Sequence, residues 1–282
     1  MTQIKKNPDT SRISDSKFKK LAGYIERELG IKMPDTKRVM LESRLQKRLH
    51  VLKLKSFDEY IERVFSGDDA ELIQMIDVVT TNKTDFFREP DHFDILSSRL
   101  LPQAQSKNGG RSLFSFWSAG CSTGEEPYTL TMVLEEYRLA HPGFDYRIVA
   151  SDISTRALGA ASNAVYNIDR VAPIPVSYRK KYLLKSKDPK HPDVRVKKEL
   201  RDKVEFIRLN FMDEHFPFDG FFDVIFCRNV IIYFDRETQE RILGNMCKHL
   251  RSGGNLILGH SETLTGMSLP LRGLAPTVYE RL

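Results

Sequence analysis

The sequence predicts an α/β protein, a doubly wound and mostly parallel sheet preceded by a small helical domain. Three observations predict it. Five short apolar segments, at 113–118, 146–151, 204–208, 222–226 and 254–259, alternate with helical or irregular stretches, the pattern of a sheet covered on both faces. The first segment runs into FWSAGCSTGEEPY at 116–128, which reads as a buried strand, a glycine turn and the start of a helix. Residues 14–80 carry repeated helical periodicity with almost no strand signal.

In chain order, residues 1–12 read as a flexible polar tail and 13–80 as the helical domain. Within it, DTKRVMLESRLQKRLHVLKLK at 35–55 repeats Met40, Leu41, Leu45, Leu49 and Leu52 at helical spacing, while Arg44, Lys47, Arg48 and Lys55 lie off that stripe. This predicts an amphipathic helix with a cationic face. Residues 81–110 read as a linker and a helix ending in a KNGG turn, and 111–282 as the α/β domain. The stretch at 172–200 breaks the alternation with four prolines and dense lysine, and reads as an insertion. Its segments at 182–185 and 194–197 are placed to pair as antiparallel strands across SKDPKHPD. No internal repeat is present.

Composition narrows the function classes. The longest apolar runs are strand-length, so a membrane span is not predicted and a cytoplasmic protein is expected. Cys121, Cys227 and Cys247 are scattered and form no C-x-x-C pair, so neither a disulfide framework nor a zinc site is signalled and no metal is expected. The net charge of +6 suits an acidic partner, and the basic helix lacks the interleaved aromatics of a single-strand nucleic-acid binder.

The turn after the first strand carries the chemistry. Small residues from Ser118 to Gly124 allow close approach of backbone to a ligand. The G-x-G-x-x-G fingerprint is absent, and Glu125 and Glu126 at the helix start suit the macrodipole but not a phosphate. A ligand with a ribose and a positive centre fits better. Asp152, 28 positions beyond Gly124, ends the second strand and is placed for ribose hydroxyls. The fourth strand delivers Asn229 and Tyr233 to the same carboxyl edge, where open α/β sheets bind ligands. Taken singly, each has a plainer reading: any doubly wound sheet has a glycine turn and a strand-end acid, Asn229 suits a turn, and Tyr233 suits a half-buried ring.

Five blocks together, TTNKTDFFRE at 80–89, WSAGCSTGEEPY at 117–128, ASDIS at 150–154, CRNVIIYFD at 227–235 and GHSE at 259–262, resemble the CheR family of chemotaxis receptor methyltransferases over nearly the whole chain. The resemblance implies an S-adenosylmethionine-dependent methyltransferase sheet that transfers methyl to glutamate side chains of chemoreceptors and leaves S-adenosylhomocysteine. It implies that Asn82, Thr84 and Arg88 line the cofactor, with Gly120 at the close-approach turn and Glu126 on the methionine part. Asp152 is implied on the ribose, Asn210 and Phe211 beside the adenine, and Arg228 and Asn229 as a further cofactor pair. Arg88 and Tyr233 match positions beside the reaction centre.

A glutamate carboxylate, with an unperturbed pKa of about 4.3, needs no general base. In-line displacement asks that its oxygen be held roughly 3–3.5 Å from the methyl carbon, a task for Arg88 and Tyr233. The resemblance also implies that Arg44, Lys47 and Arg48 dock on the cytoplasmic methylation helices of the receptor, the enzyme acting as a monomer without nucleic acid or membrane insertion. Some family members carry a glycine-rich hairpin that holds a receptor carboxyl-terminal pentapeptide. The turn at 185–193 contains no glycine, so tether-independent action is expected. The alternatives are a non-catalytic scaffold that binds S-adenosylmethionine or its product, and a nucleic-acid methyltransferase, which no N-P-P-Y-type motif supports. A nicotinamide dehydrogenase is disfavoured by the missing fingerprint.

Overall fold

A computed structural model describes residues 12–107, 110–188 and 190–282. Of the tail expected at 1–12 only Arg12 is among them. Asn108 and Gly109 of the expected turn, and Pro189 of the insertion, also lie outside the described residues. The chain divides into two units, Met1–Thr81 and Asn82–Leu282.

The first unit is α1 (Asp15–Leu29), α2 (Arg38–Leu52), α3 (Phe57–Phe65) and α4 (Asp69–Val79). Each buries one stripe: Phe18, Leu21, Ile25 and Leu29 in α1, and Leu41, Leu45 and Leu49 in α2. Stops and starts are local. Gly30, at φ 68°, ends α1 and donates its N–H to Glu26. Ser56 and Asp68 cap α3 and α4 by accepting from the backbone N–H of Glu59 and Glu71.

In the second unit α5 (Asp91–Ile95) passes through a π turn at Leu96–Leu100 into α6 (Leu101–Lys107). The alternation follows: β1 (Leu113–Ala119), α7 (Glu125–Ala140), β2 (Asp145–Asp152), α8 (Thr155–Asn163), β3 (Val165–Asn167), α9 (Val176–Tyr182), β4 (Leu183–Lys185), β5 (Asp193–Val196), α10 (Lys198–Arg201), β6 (Val204–Arg208), β7 (Phe222–Cys227), α11 (Arg236–Lys248), β8 (Leu250–Leu258), β9 (Leu271–Ala275) and β10 (Val278–Arg281). Seven strands form one sheet in the order β6-β2-β1-β7-β8-β10-β9. The first five pair in parallel and the last two antiparallel. The order reverses between β1 and β7, which puts a crevice at their carboxyl ends.

Period-two alternation sorts the core to the two faces of this sheet. Phe114, Phe116, Ile148, Val224 and Phe226 pack with Phe93, Leu96, Leu130 and Leu134 on one face. Trp117, Ala119, Ile225 and Cys227 pack with Ile242, Leu243 and Met246 of α11 on the other.

The insertion forms a separate antiparallel sheet, β3-β5-β4. The expected pair is β4 with β5; the third strand, β3, begins before residue 172, because Ala164 at φ 55° ends α8 and sends the chain straight into it. The β4–β5 turn is closed without glycine: Asp188 takes the Ser186 hydroxyl on its N–H at 3.1 Å, and its carboxylate accepts the Lys190 N–H at 2.9 Å. Strands β9 and β10 were not expected from the sequence, since LRGLAPTVYER at 271–281 is interrupted by Gly273 and Pro276 and carries a register shift at Val278 and Tyr279.

The cationic face of α2 is largely committed within its own unit. Arg44 donates to the carbonyls of Val79 and Thr80 and to the Thr81 hydroxyl, satisfying acceptors at the end of α4. Arg48 forks onto buried Glu71 at 2.9 and 2.5 Å, and the Tyr60 hydroxyl donates to the same carboxylate at 2.9 Å. Lys47 is exposed and has no ion pair among the described residues. Arg48→Glu should therefore destabilise the helical unit by roughly 3–5 kcal/mol, because it strands a buried carboxylate beside a second one. Thermal melts of the isolated substitution would check this; an unchanged melting temperature would contradict it.

Candidate active site

The segments expected to carry chemistry converge at the carboxyl edge of β2, β1 and β7. After β1, Gly120 at φ 80° and Cys121 both donate their N–H to the Ser151 carbonyl, at 2.8 and 2.9 Å. A Cβ on Gly120 would lie 2.4 Å from Val230 Cγ2, and one on Gly124, at φ 97°, would lie 2.8 Å from the Tyr166 hydroxyl. Both positions therefore need glycine for conformation and for space. Four of the seven described non-glycine residues at positive φ, Phe87, Glu89, Ser122 and Asn229, belong to these segments. Strain is concentrated where the chain must turn at a functional edge.

Asp152, at the end of β2, is 8% exposed. Its oxygens accept the Ser122 N–H at 2.8 Å and the Ser154 N–H at 2.9 Å, which fixes the carboxylate at the carboxyl edge of the sheet. Asn82 joins the same loops: its amide donates to Ser154 Oγ at 3.3 Å and its carbonyl accepts from Ser122 Oγ at 3.1 Å. Thr84 is half-buried, and its carbonyl accepts from Arg170, which also pairs with buried Glu125. Asn210 follows β6 and turns the chain by accepting the Met212 N–H at 3.1 Å. Phe211 is 8% exposed, its ring packed towards Trp117 and Phe216.

The two members of the Arg228–Asn229 pair sit differently. Arg228, its side chain 2% exposed, donates from Nε to Glu126 Oε2 at 2.8 Å, and from Nη1 to the Arg88 carbonyl at 2.7 Å and to His92 Nδ1 at 3.1 Å. Its guanidinium carbon lies 5.1 Å from the Phe93 ring centroid. The other Glu126 oxygen accepts the Ser118 hydroxyl at 2.7 Å. Arg228 is thus an internal tie that pairs with Glu126 and holds the 88–92 segment. Asn229, at φ 57°, is half-buried and donates its amide to Glu89 Oε1 at 3.2 Å.

Arg88 and Tyr233 are both half-buried. The Arg88 guanidinium makes one hydrogen bond among the described residues, to the Lys83 carbonyl at 3.2 Å, so most of its donors are left for a ligand. Tyr233 ends a short 3₁₀ turn, Ile231–Tyr233.

Sequence reasoning assigned no role to Glu89, His92 and Glu262, although Glu89 and Glu262 lie inside the quoted blocks. A buried acid next to a strand end was the available signal for Glu262. Glu89, His92 and His260 cluster as potential metal ligands. That cluster already holds a cation, for Arg228 Nη1 lies 3.1 Å from His92 Nδ1 and 3.6 Å from Glu89 Oε2.

His92 is fully buried, and its Nε2 lies 2.9 Å from the Thr277 hydroxyl. Because Arg228 only donates, Nδ1 accepts and the proton sits on Nε2. Burial first, and then the Arg228 charge, push His92 down to about 4, against weaker opposing effects of Asp91 and Glu89. The unfolded chain therefore binds a proton that the folded chain refuses between about pH 6.5 and 4. Stability from this site is complete above the unfolded value and is lost as pH falls through that window. Calorimetric melts should show proton uptake on unfolding smaller by about one in His92→Gln than in the parent chain near pH 5; equal uptake would contradict the assignment.

Residues 82–278 match the family described as CheR methyltransferase, SAM binding domain, and residues 16–80 match the CheR methyltransferase all-alpha domain. The chain is 39% identical over 274 residues to a chemotaxis protein methyltransferase of Borreliella burgdorferi, covering 95% of each. It is 38% identical to chemotaxis protein methyltransferase 2 of Pseudomonas aeruginosa, covering 93% of this chain and 91% of the relative. To the chemotaxis protein methyltransferase of Salmonella typhimurium it is 36% identical, covering 95% and 90%. The fixed acid at Asp152, at the carboxyl edge beside the Gly120 turn, fits S-adenosylmethionine, the cofactor that the matched domain binds. With both of its units matched in order and along nearly their whole length, the chain belongs to the CheR methyltransferase family, S-adenosylmethionine-dependent methyltransferases of chemotaxis.

Proposed function

We propose that the protein transfers a methyl group from S-adenosylmethionine to glutamate side-chain carboxylates in the cytoplasmic methylation helices of chemoreceptors. The products are glutamate methyl esters and S-adenosylhomocysteine. The observation that carries this reading is the convergence of Asp152, the Gly120 turn and Asn229 on one strand edge, together with Arg88 donors that the protein leaves largely unused. The proposed enzyme acts as a monomer in the cytoplasm; no described helix is long and apolar enough to cross a membrane.

The bound cofactor supplies an electrophilic methyl group on a sulfonium centre. The protein then has to bind, orient and exclude water. Asp152, its carboxylate fixed by the Ser122 and Ser154 N–H groups, would take the ribose hydroxyls. Asn82 and Thr84 line the same edge, and Asn210 and Phe211 flank the adenine. Glu126 gives the region a negative charge moderated by Arg228, a balance suited to a cationic ligand. The acceptor carboxylate is already ionised, so methyl transfer would exchange the C–S bond for an O–C bond and ask no residue of the protein to move a proton. Arg88 orients that carboxylate through its free donors, and Tyr233 offers a hydroxyl beside it.

Docking falls chiefly to Lys47. Arg44 and Arg48 were expected to share this role, but their donors serve Val79, Thr80, Thr81 and Glu71. The glycine-free β4–β5 turn, closed by Asp188, supports action without a receptor pentapeptide.

Steady-state methylation of a chemoreceptor cytoplasmic fragment separates these roles. Arg88→Ala should lower kcat by about a hundredfold, the cost of a misplaced acceptor. Lys47→Glu should raise the receptor KM roughly threefold to tenfold, more steeply at low salt, with kcat and S-adenosylhomocysteine affinity unchanged. Unchanged turnover in Arg88→Ala would contradict its orienting role, and an unchanged receptor KM would move docking away from α2.

A further inference from the structure

We infer that Glu262 is a positioning residue for the cofactor site, acting through the turn at 229–231. This rests on the reading of Asn229 as a cofactor contact. Glu262 is 4% exposed and has no cationic side chain beside it among its hydrogen-bond partners. Four backbone N–H groups donate to it instead. Oε2 accepts from Gly259 at 2.7 Å and Asn229 at 2.9 Å; Oε1 accepts from Val230 and Ile231, each at 2.9 Å.

The geometry explains the number. Asn229 at φ 57° turns the backbone so that the N–H groups of 229, 230 and 231 point to one side, a concavity that favours an anion. Here the anion is the protein's own side chain. Without it, three N–H donors of a tight turn would lose their acceptor. Gly259 lets the two segments meet, since a Cβ there would lie 2.6 Å from Asn229 Nδ2, 2.9 Å from Asn229 N and 3.0 Å from Glu262 Oε2.

What the carboxylate holds is the edge of the site. Asn229 presents its amide beside Glu89, Val230 is the residue against which the Gly120 turn closes, and Tyr233 lies two residues past the end of the clamp. Glu262 therefore acts on the glycine turn and on the acceptor side without touching either ligand.

Calorimetric titration of S-adenosylhomocysteine into the full chain tests this, with Asn229→Ala, Glu262→Gln, Glu262→Asp and Gly259→Ala run beside the parent and thermal melts recorded for each. Folded Glu262→Gln should bind about tenfold or more weakly, because an amide turns donors towards donors. Glu262→Asp, which keeps the charge, should recover part of the loss. In methyl transfer the KM for S-adenosylmethionine should rise more than kcat falls, a split that lowered stability alone would not produce. Weak binding by Asn229→Ala with folded Glu262→Gln within about twofold of the parent would overturn the inference. Parent-like binding by Asn229→Ala would instead overturn the reading of Asn229 on which the inference rests. If Glu262→Gln does not fold, Gly259→Ala decides, since it keeps the carboxylate and displaces the turn: a similar loss supports the inference and parent-like affinity overturns it.

Discussion

The guanidinium of Arg228 is the interaction on which the rest of the site depends. It joins the end of β7, Glu126 of α7 and the 88–92 segment, three pieces of chain separated by up to 140 residues. A buried cation is costly unless its donors are filled and its charge is matched. Glu126 supplies the charge and accepts from Nε, the Arg88 carbonyl and His92 Nδ1 accept from Nη1, and Phe93 and Phe226 offer ring faces. Each partner gains order in return. Glu126 is fixed between Arg228 and Ser118, His92 is confined to one tautomer, and Arg88 has its backbone anchored while its side chain stays largely unspent.

Around this tie the backbone is forced into conformations that ordinary residues resist. Ser122, Glu89 and Asn229 all lie at φ between 50° and 57°, and each is held there by hydrogen bonds from another segment. Asp152 holds Ser122, and Glu262 holds Asn229. Acids thus serve as acceptors for strained turns, so the carboxylates at the carboxyl edge of the sheet have structural work there.

Much of this was legible in the sequence, and the reasons are physical. A strand buried on both faces reads as a near-continuous apolar run, so β1 and β7 announced themselves; β2 and the edge strand β6 showed as shorter apolar segments between charged residues, and Gly120 and Asp152 followed from where β1 and β2 end. The antiparallel strands β9 and β10 were not legible, because short strands broken by glycine and proline lose their periodicity. Charge was the least readable feature. A helical stripe reveals which residues lie off the core, but Arg44 and Arg48 spend their charge on the end of α4 and on Glu71, partners set by tertiary packing. The same limit hid the burial of Arg228 and the four-donor cage of Glu262, since sequence spacing carries no record of which distant backbone N–H groups will converge.

Delivery of a methyl group from this edge to a carboxylate is the property on which the proposed function stands. The measurement that tests it most directly is mass-spectrometric mapping of chemoreceptor cytoplasmic fragments after incubation with the protein and isotopically labelled S-adenosylmethionine, with and without Asp152→Ala. Labelled, base-labile esters should form on glutamate side chains and vanish with the substitution. Tight cofactor binding with no ester on any glutamate, or label on another residue type, would contradict it.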